Sequence, residues 1–359
     1  MDGETAASFP QPCPRKSSKD GIATVYNDLT QHHQAAAIAA GPSRPLAKAN
    51  DSSQFAGVKA IGNALPDDAV LLVTGASTGL GLALAKRLLR KTRYRLVLTS
   101  RASSLSRFAS EGITAGPRVR LQELDVADAA SRAAAIAAVE TEWGGVEILV
   151  NNAGIATRAV TEHISEADIH RIMAVNFFGP LDLIRRVLPG MRARRRGRIV
   201  TVSSVGGMMA MPTMSAYSAS KFAIEGACES LWYEIRPWGV GVSLVEPGFI
   251  NSDSFTHTLH TRRSARALGD DDDPYHAHYE AMAGMIERLM RRTWATPEHV
   301  AGRIIRTIRA RDPRLRVRAT PDALVFDYLR RWLPRRLYHA VLHAALPNVR
   351  RWGPGRRAP

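Results

Sequence analysis

The chain has 359 residues, 45% of them apolar, and a formal charge of +16. That composition allows a sizeable core, while two cysteines in unlike contexts, Cys13 and Cys228, exclude a disulfide framework or a cysteine metal cluster and predict a reducing, cytoplasmic compartment. The charge is uneven: from Met290 to Pro359 there are 17 arginines, no lysine and four acids, a net of +13, so a core of ordinary charge carries a basic tail.

The N-terminus, MDGETAASF, has early acids and no apolar h-region, so no secretory signal is expected. Residues 1–66 mix Ser, Pro, Gly, Gln, Ala and Asn with little apolar periodicity, which predicts a disordered extension. From Asp68 the texture changes. AVLLVT at 69–74 reads as a strand, GASTGLG as its turn and LALAKRLLRK as a helix. RLVLTS at 95–100, VRLQELDV at 119–126, VEILVNNAG at 146–154, RIVTVSS at 198–204 and VGVSLVEPG at 240–248 read as further strands. Helical patterns fall between them at 131–143, at 169–191 and from Tyr217. The uncharged run at 199–220 is rich in Ser, Gly, Thr and Pro, so it reads as strand plus loop rather than a membrane span. Apolar strands alternating with helices predict a parallel sheet with helices on both faces, a three-layer doubly wound α/β fold over 67–320. Right-handed crossovers place every strand's C-terminal end on one edge, where ligands bind.

The turn GASTGLG places Gly75, Ser77, Thr78, Gly79, Leu80 and Gly81 between the first strand and helix. Its glycines permit a tight turn close to a pyrophosphate, and the helix N-terminus beyond turns amides and a positive dipole end toward that anion. An enzyme for NAD carries an acid at the end of the second strand to hold ribose hydroxyls. Here that place holds Ser100 and Arg101. A guanidinium there, with Ser77, suits a 2′-phosphate, so NADP(H) is the expected cofactor. Asp125 and Val126, closing the third strand, are expected on the adenine side, with Asn152, Ala153 and Gly154 on the floor.

The helix opening AYSASKFAIEG sets Tyr217 and Lys221 four residues apart, on one face. The motifs TGASTGLG, LDV, NNAG, VN at 175–176, the serine of VSSVGG, YSASK and PG at 247–248 stand in one order from Asp68 to Gly248. In that order the chain resembles the short-chain dehydrogenase/reductase family. The run SVGGMMAMP followed by YSASKFAIEGACESL is similar to its hydroxysteroid and retinol dehydrogenase branch.

The resemblance implies a mostly parallel seven-stranded Rossmann sheet, a homo-oligomer (dimer or tetramer), pro-S hydride transfer and a catalytic group of Asn176, Ser204, Tyr217 and Lys221. Ser204 stands thirteen residues before Tyr217, the family's spacing, with Ser203 as its alternative. In the family the helix asparagine helps to hold a water that leads protons outward from the lysine, which also bonds the nicotinamide ribose. Tyrosine must give or take a proton at the substrate oxygen, yet a free phenol has a pKa near ~10. Lowering that by about three units takes roughly 4 kcal/mol, and one ammonium about 4 Å away at an effective dielectric of ~20 supplies that much. Lys221 is the expected cation. Tyr217 and Lys221 therefore border the cofactor too, with Pro247, Gly248, Ile250 and Ser252 along its nicotinamide end. Where the family often has threonine four residues after the glycine of PG, this chain has Ser252, which keeps the hydroxyl.

Met208, Met209, Met211 and Met214 offer soft apolar walls or core filler. The connection at 249–290 is long enough to act as a lid, with the exposed run GDDDDP at 269–274. These features predict a small lipophilic substrate, an alcohol or ketone of sterol, retinoid or long-chain type. In the tail at 321–359, Phe326, Leu329, Trp332, Leu333, Leu337, Val341 and Ala344 keep helical spacing between paired arginines, with Pro334 interrupting. Such a basic amphipathic segment suits peripheral contact with an anionic membrane, or docking on the core or another subunit. Nucleic-acid binding is not expected, because no reading motif accompanies the arginines, and no metal site is expected. The rival reading is a non-catalytic NADP(H)-sensing protein that binds a partner through its basic tail.

Overall fold

A computed structural model of the chain describes residues 64–252 and 258–353. Nearly all of the expected disordered extension, at 1–63, lies outside the described residues. The sheet has seven strands: β1 (Val70–Val73), β2 (Arg95–Ser100), β3 (Val119–Glu123), β4 (Ile148–Asn151), β5 (Gly197–Val202), β6 (Val240–Glu246) and β7 (Arg316–Arg318). They run in the order β3-β2-β1-β4-β5-β6-β7, and every pair is parallel. This is the expected doubly wound Rossmann arrangement, and its strand order reverses between β1 and β4.

Both faces of the sheet are covered, which is why its strands read as unbroken apolar runs. Along β1, Leu71 and Val73 face the core cluster beneath α1 (Gly79–Lys91) and α8 (Pro297–Arg309), with Leu84, Leu88, Ile304 and Ile308. Val70 and Leu72 face the opposite cluster, beneath α2 (Ala129–Trp143), α4 (Gly179–Ala193) and α5 (Ser215–Ile235), with Ile136, Leu183 and Ile224. Local chemistry sets the helix ends. Asp128 caps α2 by accepting from the Ser131 amide at 2.6 Å, and Gly144 ends it at φ +75°, a left-handed conformation that favours glycine.

Two details differ from the periodicity, and a third, the break at Pro334, falls where the sequence places it. The helix expected over 169–191 is α3 (Glu166–Met173) and α4, joined by a π turn at Ala174–Phe178 that carries Asn176. α5 runs through Gly226, where a Cβ would meet nothing within 4 Å, so this glycine costs propensity without breaking the helix. The tail folds as α9 (Pro321–Trp332) and α10 (Arg335–Ala344), with Pro334 capping the second. In the long connection, Leu259–His260 pairs with Thr157–Arg158, and α6 (Arg262–Leu268) and α7 (His276–Arg292) flank the exposed acidic loop. Among the described residues no helix is long and apolar enough to cross a membrane. The run at 199–220 divides into β5, a short turn and the start of α5.

Candidate active site

The glycine-rich turn is held from below by Thr74. Its hydroxyl accepts from the amides of Asn152 and Ala153, both at 2.9 Å, tying the ends of β1 and β4 together. Gly75 has φ +64° and Gly79 φ +50°, and a Cβ at Gly79 would meet open space. At Gly81 a Cβ would lie 2.0 Å from the Gly75 carbonyl oxygen, so only glycine lets α1 approach the turn. The first turn of α1 contains no acid, and Thr78 makes no side-chain cap. An open cradle with uncapped amides fits the pyrophosphate of a dinucleotide.

Asn152, expected on the floor, uses its amide as a strut, donating to the carbonyls of Thr74 and Gly75 at 2.9 and 3.1 Å. Gly154 lies beside Asn176 and Lys221: a Cβ on it would sit 3.3 Å from Asn176 Oδ1 and 3.6 Å from Lys221 Nζ. The Ala76 amide donates to the Thr99 carbonyl at 2.8 Å, which brings buried Ser77 to the end of β2. Arg101 follows there, exposed and without an ion pair among the described residues. Asp125 closes its own turn, accepting from the Ala127 amide at 2.9 Å, and the Val126 carbonyl accepts from Arg132.

The expected catalytic group converges across β5, α5 and the π turn. Asn176 is buried; its Oδ1 accepts from the Ile155 amide at 2.9 Å, and its Nδ2 donates to the Ile155 carbonyl and to Ser220 Oγ at 2.8 and 3.0 Å. Ser220 Oγ donates in turn to the Tyr217 carbonyl at 2.7 Å. The two candidate serines separate cleanly. Ser203 donates to buried Glu225 at 2.6 Å, whereas the Ser204 hydroxyl shares a hydrogen bond with the Tyr217 phenol and accepts from the Gly206 amide at 3.0 Å. Gly206 packs on the tyrosine ring, where a Cβ would sit 3.0 Å from it.

Lys221 Nζ donates to the Val202 carbonyl at 3.0 Å and lies 5.9 Å from the centre of the Tyr217 ring. Burial pushes the Tyr217 phenol above its usual value, and the Ser204 hydrogen bond opposes that. Burial also holds the Lys221 ammonium down to about 8, against the pull of Glu225. The loss of solvation outweighs what the charged neighbour returns.

Sequence reading missed the supports supplied from the C-terminal segment. The Gly248 amide donates to Thr320 Oγ1 and the Phe249 amide to Asp322 Oδ2, both at 2.8 Å. A Cβ on Gly248 would sit 1.8 Å from Asp322 Oδ2. The run Thr320-Pro321-Asp322 is a helix-start signature, but its second role depends on the approach of two segments some 70 residues apart. Ile250 packs on the first core cluster, and Ser252 Oγ donates to the Ile250 carbonyl at 3.5 Å. Behind Lys221, Arg316 clamps Glu225, Glu246 and Glu229 at 2.6, 2.6 and 2.8 Å. Burial and the charge of Glu225 push Glu246 up to about 7.

An apolar cluster meets the tyrosine. Met214, Phe249, Met282, Ile286 and Met290 are buried together, with Tyr217, Met211 and Phe326 packed against them. Met208 lies instead with Val205 and Ala323 beneath α9, and Met209 is buried apart from that cluster. The methionine run thus splits between the cluster at Tyr217 and the core beneath α9. The arrangement offers a dinucleotide cradle, a phenol beside a hydroxyl, and an apolar cluster packed against the phenol ring.

Comparison with known proteins follows the same pattern. The family model described as short chain dehydrogenase matches residues 69–263. A 3-ketodihydrosphingosine reductase of Bacteroides thetaiotaomicron is 32% identical over 76% of this chain and 96% of its own. Human retinol dehydrogenase 8 is 33% identical over 68% of this chain and 79% of its own. A short chain dehydrogenase/reductase from Burkholderia phymatum in complex with NAD has a TM-score of 0.62 at 26% identity, covering 73% of this chain and 92% of that one. A metagenomic short-chain oxidoreductase in complex with NADP has a TM-score of 0.54 at 25% identity, covering 70% and 96%.

Proposed function

The chain belongs to the short-chain dehydrogenase family, and from that premise we propose that it is an NADP(H)-dependent oxidoreductase of lipophilic alcohols and ketones, with Tyr217 as the proton donor and acceptor. The observation that carries this reading is the convergence of Tyr217 and Ser204 around Gly206, against an apolar cluster and next to the glycine cradle. When bound, the coenzyme supplies a hydride to the carbonyl carbon, or accepts one from the alcohol carbon. Tyr217 donates its proton to the ketone oxygen, and the Ser204 hydroxyl donates a hydrogen bond to the same oxygen as charge develops. Lys221 supports the phenolate left behind, and Asn176 fixes the turn of chain at Ile155 above Lys221. Reduction consumes one ketone, one hydride and one proton, and yields one alcohol.

The methionines and phenylalanines packed around Tyr217 support a lipophilic substrate, as do relatives named for a ketosphingoid base and for retinol. Arg101 supports the choice of NADP(H), standing exposed where a carboxylate would repel a 2′-phosphate. A panel of long-chain, steroid and retinoid ketones assayed with NADPH tests the activity. Arg101→Asp should then raise the KM for NADPH at least ~10-fold relative to that for NADH. Inertness toward every ketone beside tight NADPH binding overturns the enzyme reading, and an unchanged ratio of the two KM values overturns the coenzyme choice.

The serines give a second check. Ser204→Ala should lower turnover about 100-fold with little change in melting temperature. Ser203→Ala leaves Glu225 Oε1 without its hydroxyl partner, costing about 1–3 kcal/mol of stability, while turnover stays within a few-fold. The reverse pattern would assign the roles the other way.

A further inference from the structure

The two C-terminal helices have an inner and an outer face of different character. Inward, Ala323 and Phe326 pack on Val205 and Met208, and Phe326 also reaches the cluster of Tyr217. Both acids of α9 are engaged there: Asp322 accepts from the Phe249 amide, and Asp327 pairs with Arg318 and Arg331. Outward, Leu324, Val325, Tyr328 and Trp332 form one stripe at three- and four-residue spacing, continued on α10 by Leu337 and Val341. Trp332 is 78% exposed and Tyr328 62%. Val325, Tyr328 and Trp332 also line an open apolar hollow of about 310 Å³. Arg335 and Arg336 at the start of α10, and Arg350 and Arg351 after it, are exposed and make no ion pair among the described residues.

We propose that the outer face of α9 and α10 is a docking surface for an anionic lipid bilayer, with Trp332 and Tyr328 in the headgroup layer and the flanking arginines on lipid phosphates. An exposed apolar stripe with an aromatic pair suits the interfacial zone. With its acids turned inward, the face presents positive charge, which complements anionic headgroups. The same charge argues against a second copy: a two-fold contact through this face would set arginines opposite arginines. The surface stands independently of the activity proposed above, because binding is measured without turnover.

Co-sedimentation of the full chain with vesicles decides it. Vesicles of phosphatidylcholine with ~30 mol% phosphatidylglycerol should bind at least about tenfold more protein than phosphatidylcholine alone. That excess should fall as salt rises from roughly 0.05 to 0.5 M. The double variant Tyr328→Ser with Trp332→Ser should lose about tenfold in binding to the anionic vesicles, as should Arg335→Gln with Arg336→Gln. All four side chains are exposed, so an unchanged melting temperature accompanies both losses. Failure of the full chain to bind anionic vesicles overturns the proposal. So does wild-type binding by both variants, which places the contact elsewhere in the chain. A wild-type dimer in light scattering that Trp332→Ser dissociates also overturns it, by assigning the face to a second copy.

Discussion

Tyr217→Phe is expected to lower kcat/KM for ketone reduction by about 1,000-fold while coenzyme affinity changes less than about threefold. The substitution removes one oxygen. The ring keeps its contacts with Gly206 and the methionine cluster, so no cavity opens. Ser204 keeps the Gly206 amide as a donor, so the turn after β5 holds its shape. The melting temperature should move by no more than about 4 °C, the shift that about 1 kcal/mol produces in a domain of this size. Chemistry suffers instead, because no other group in the described site pairs an acidic hydrogen with the Ser204 hydroxyl. Steady-state kinetics, a coenzyme fluorescence titration and a thermal melt separate these outcomes. Near-normal turnover would remove Tyr217 as the proton donor.

The second large effect concerns Lys221. Lys221→Met is expected to lower kcat/KM about 100-fold and to change the shape of the pH profile. Burial holds this ammonium down to about 8, so it carries its proton below that pH and loses it above. The reduction rate of the natural chain should therefore fall as pH rises through about 8. In the variant that limb should vanish, because methionine has nothing to titrate. The stability effect has the opposite sign. A depressed lysine pKa means that the unfolded chain binds the extra proton between about 8 and the ordinary lysine value near ~10.4. Stability gained from relieving the buried charge rises with pH across that window and is absent below it. Methionine should abolish this rise, which urea melts at pH about 7.5 and 9.5 would show. A limb at pH 8 that persists in the variant would trace the titration to another group.

Much of the fold and of the candidate site was legible in the sequence because the relevant signals are local. Val70 to Val73 reads as a strand by its unbroken apolar run, since both faces of β1 are buried. The glycines of the first turn announce themselves through what a Cβ would do at Gly81. Tyr217 and Lys221 share a face simply because α5 is a helix. The tail was harder. Its seven apolar positions read as one amphipathic face, yet the structure turns Phe326 inward and Trp332 outward, because helix phase alone does not say how far around the neighbouring core extends.

The sequence by itself thus determined the layer architecture, the place of the glycine-rich turn and the candidacy of Ser204, Tyr217, Lys221 and Asn176 as one group, since each follows from spacing within a few residues or from motif order. Only the tertiary structure decided which serine meets the phenol and which meets Glu225, and that Thr320 and Asp322 secure the turn at Gly248. It also decided how deeply Tyr217 and Lys221 are buried, which raises the phenol and lowers the ammonium. Those outcomes depend on desolvation and on contacts between distant segments, and both are set by how the whole chain packs around the site.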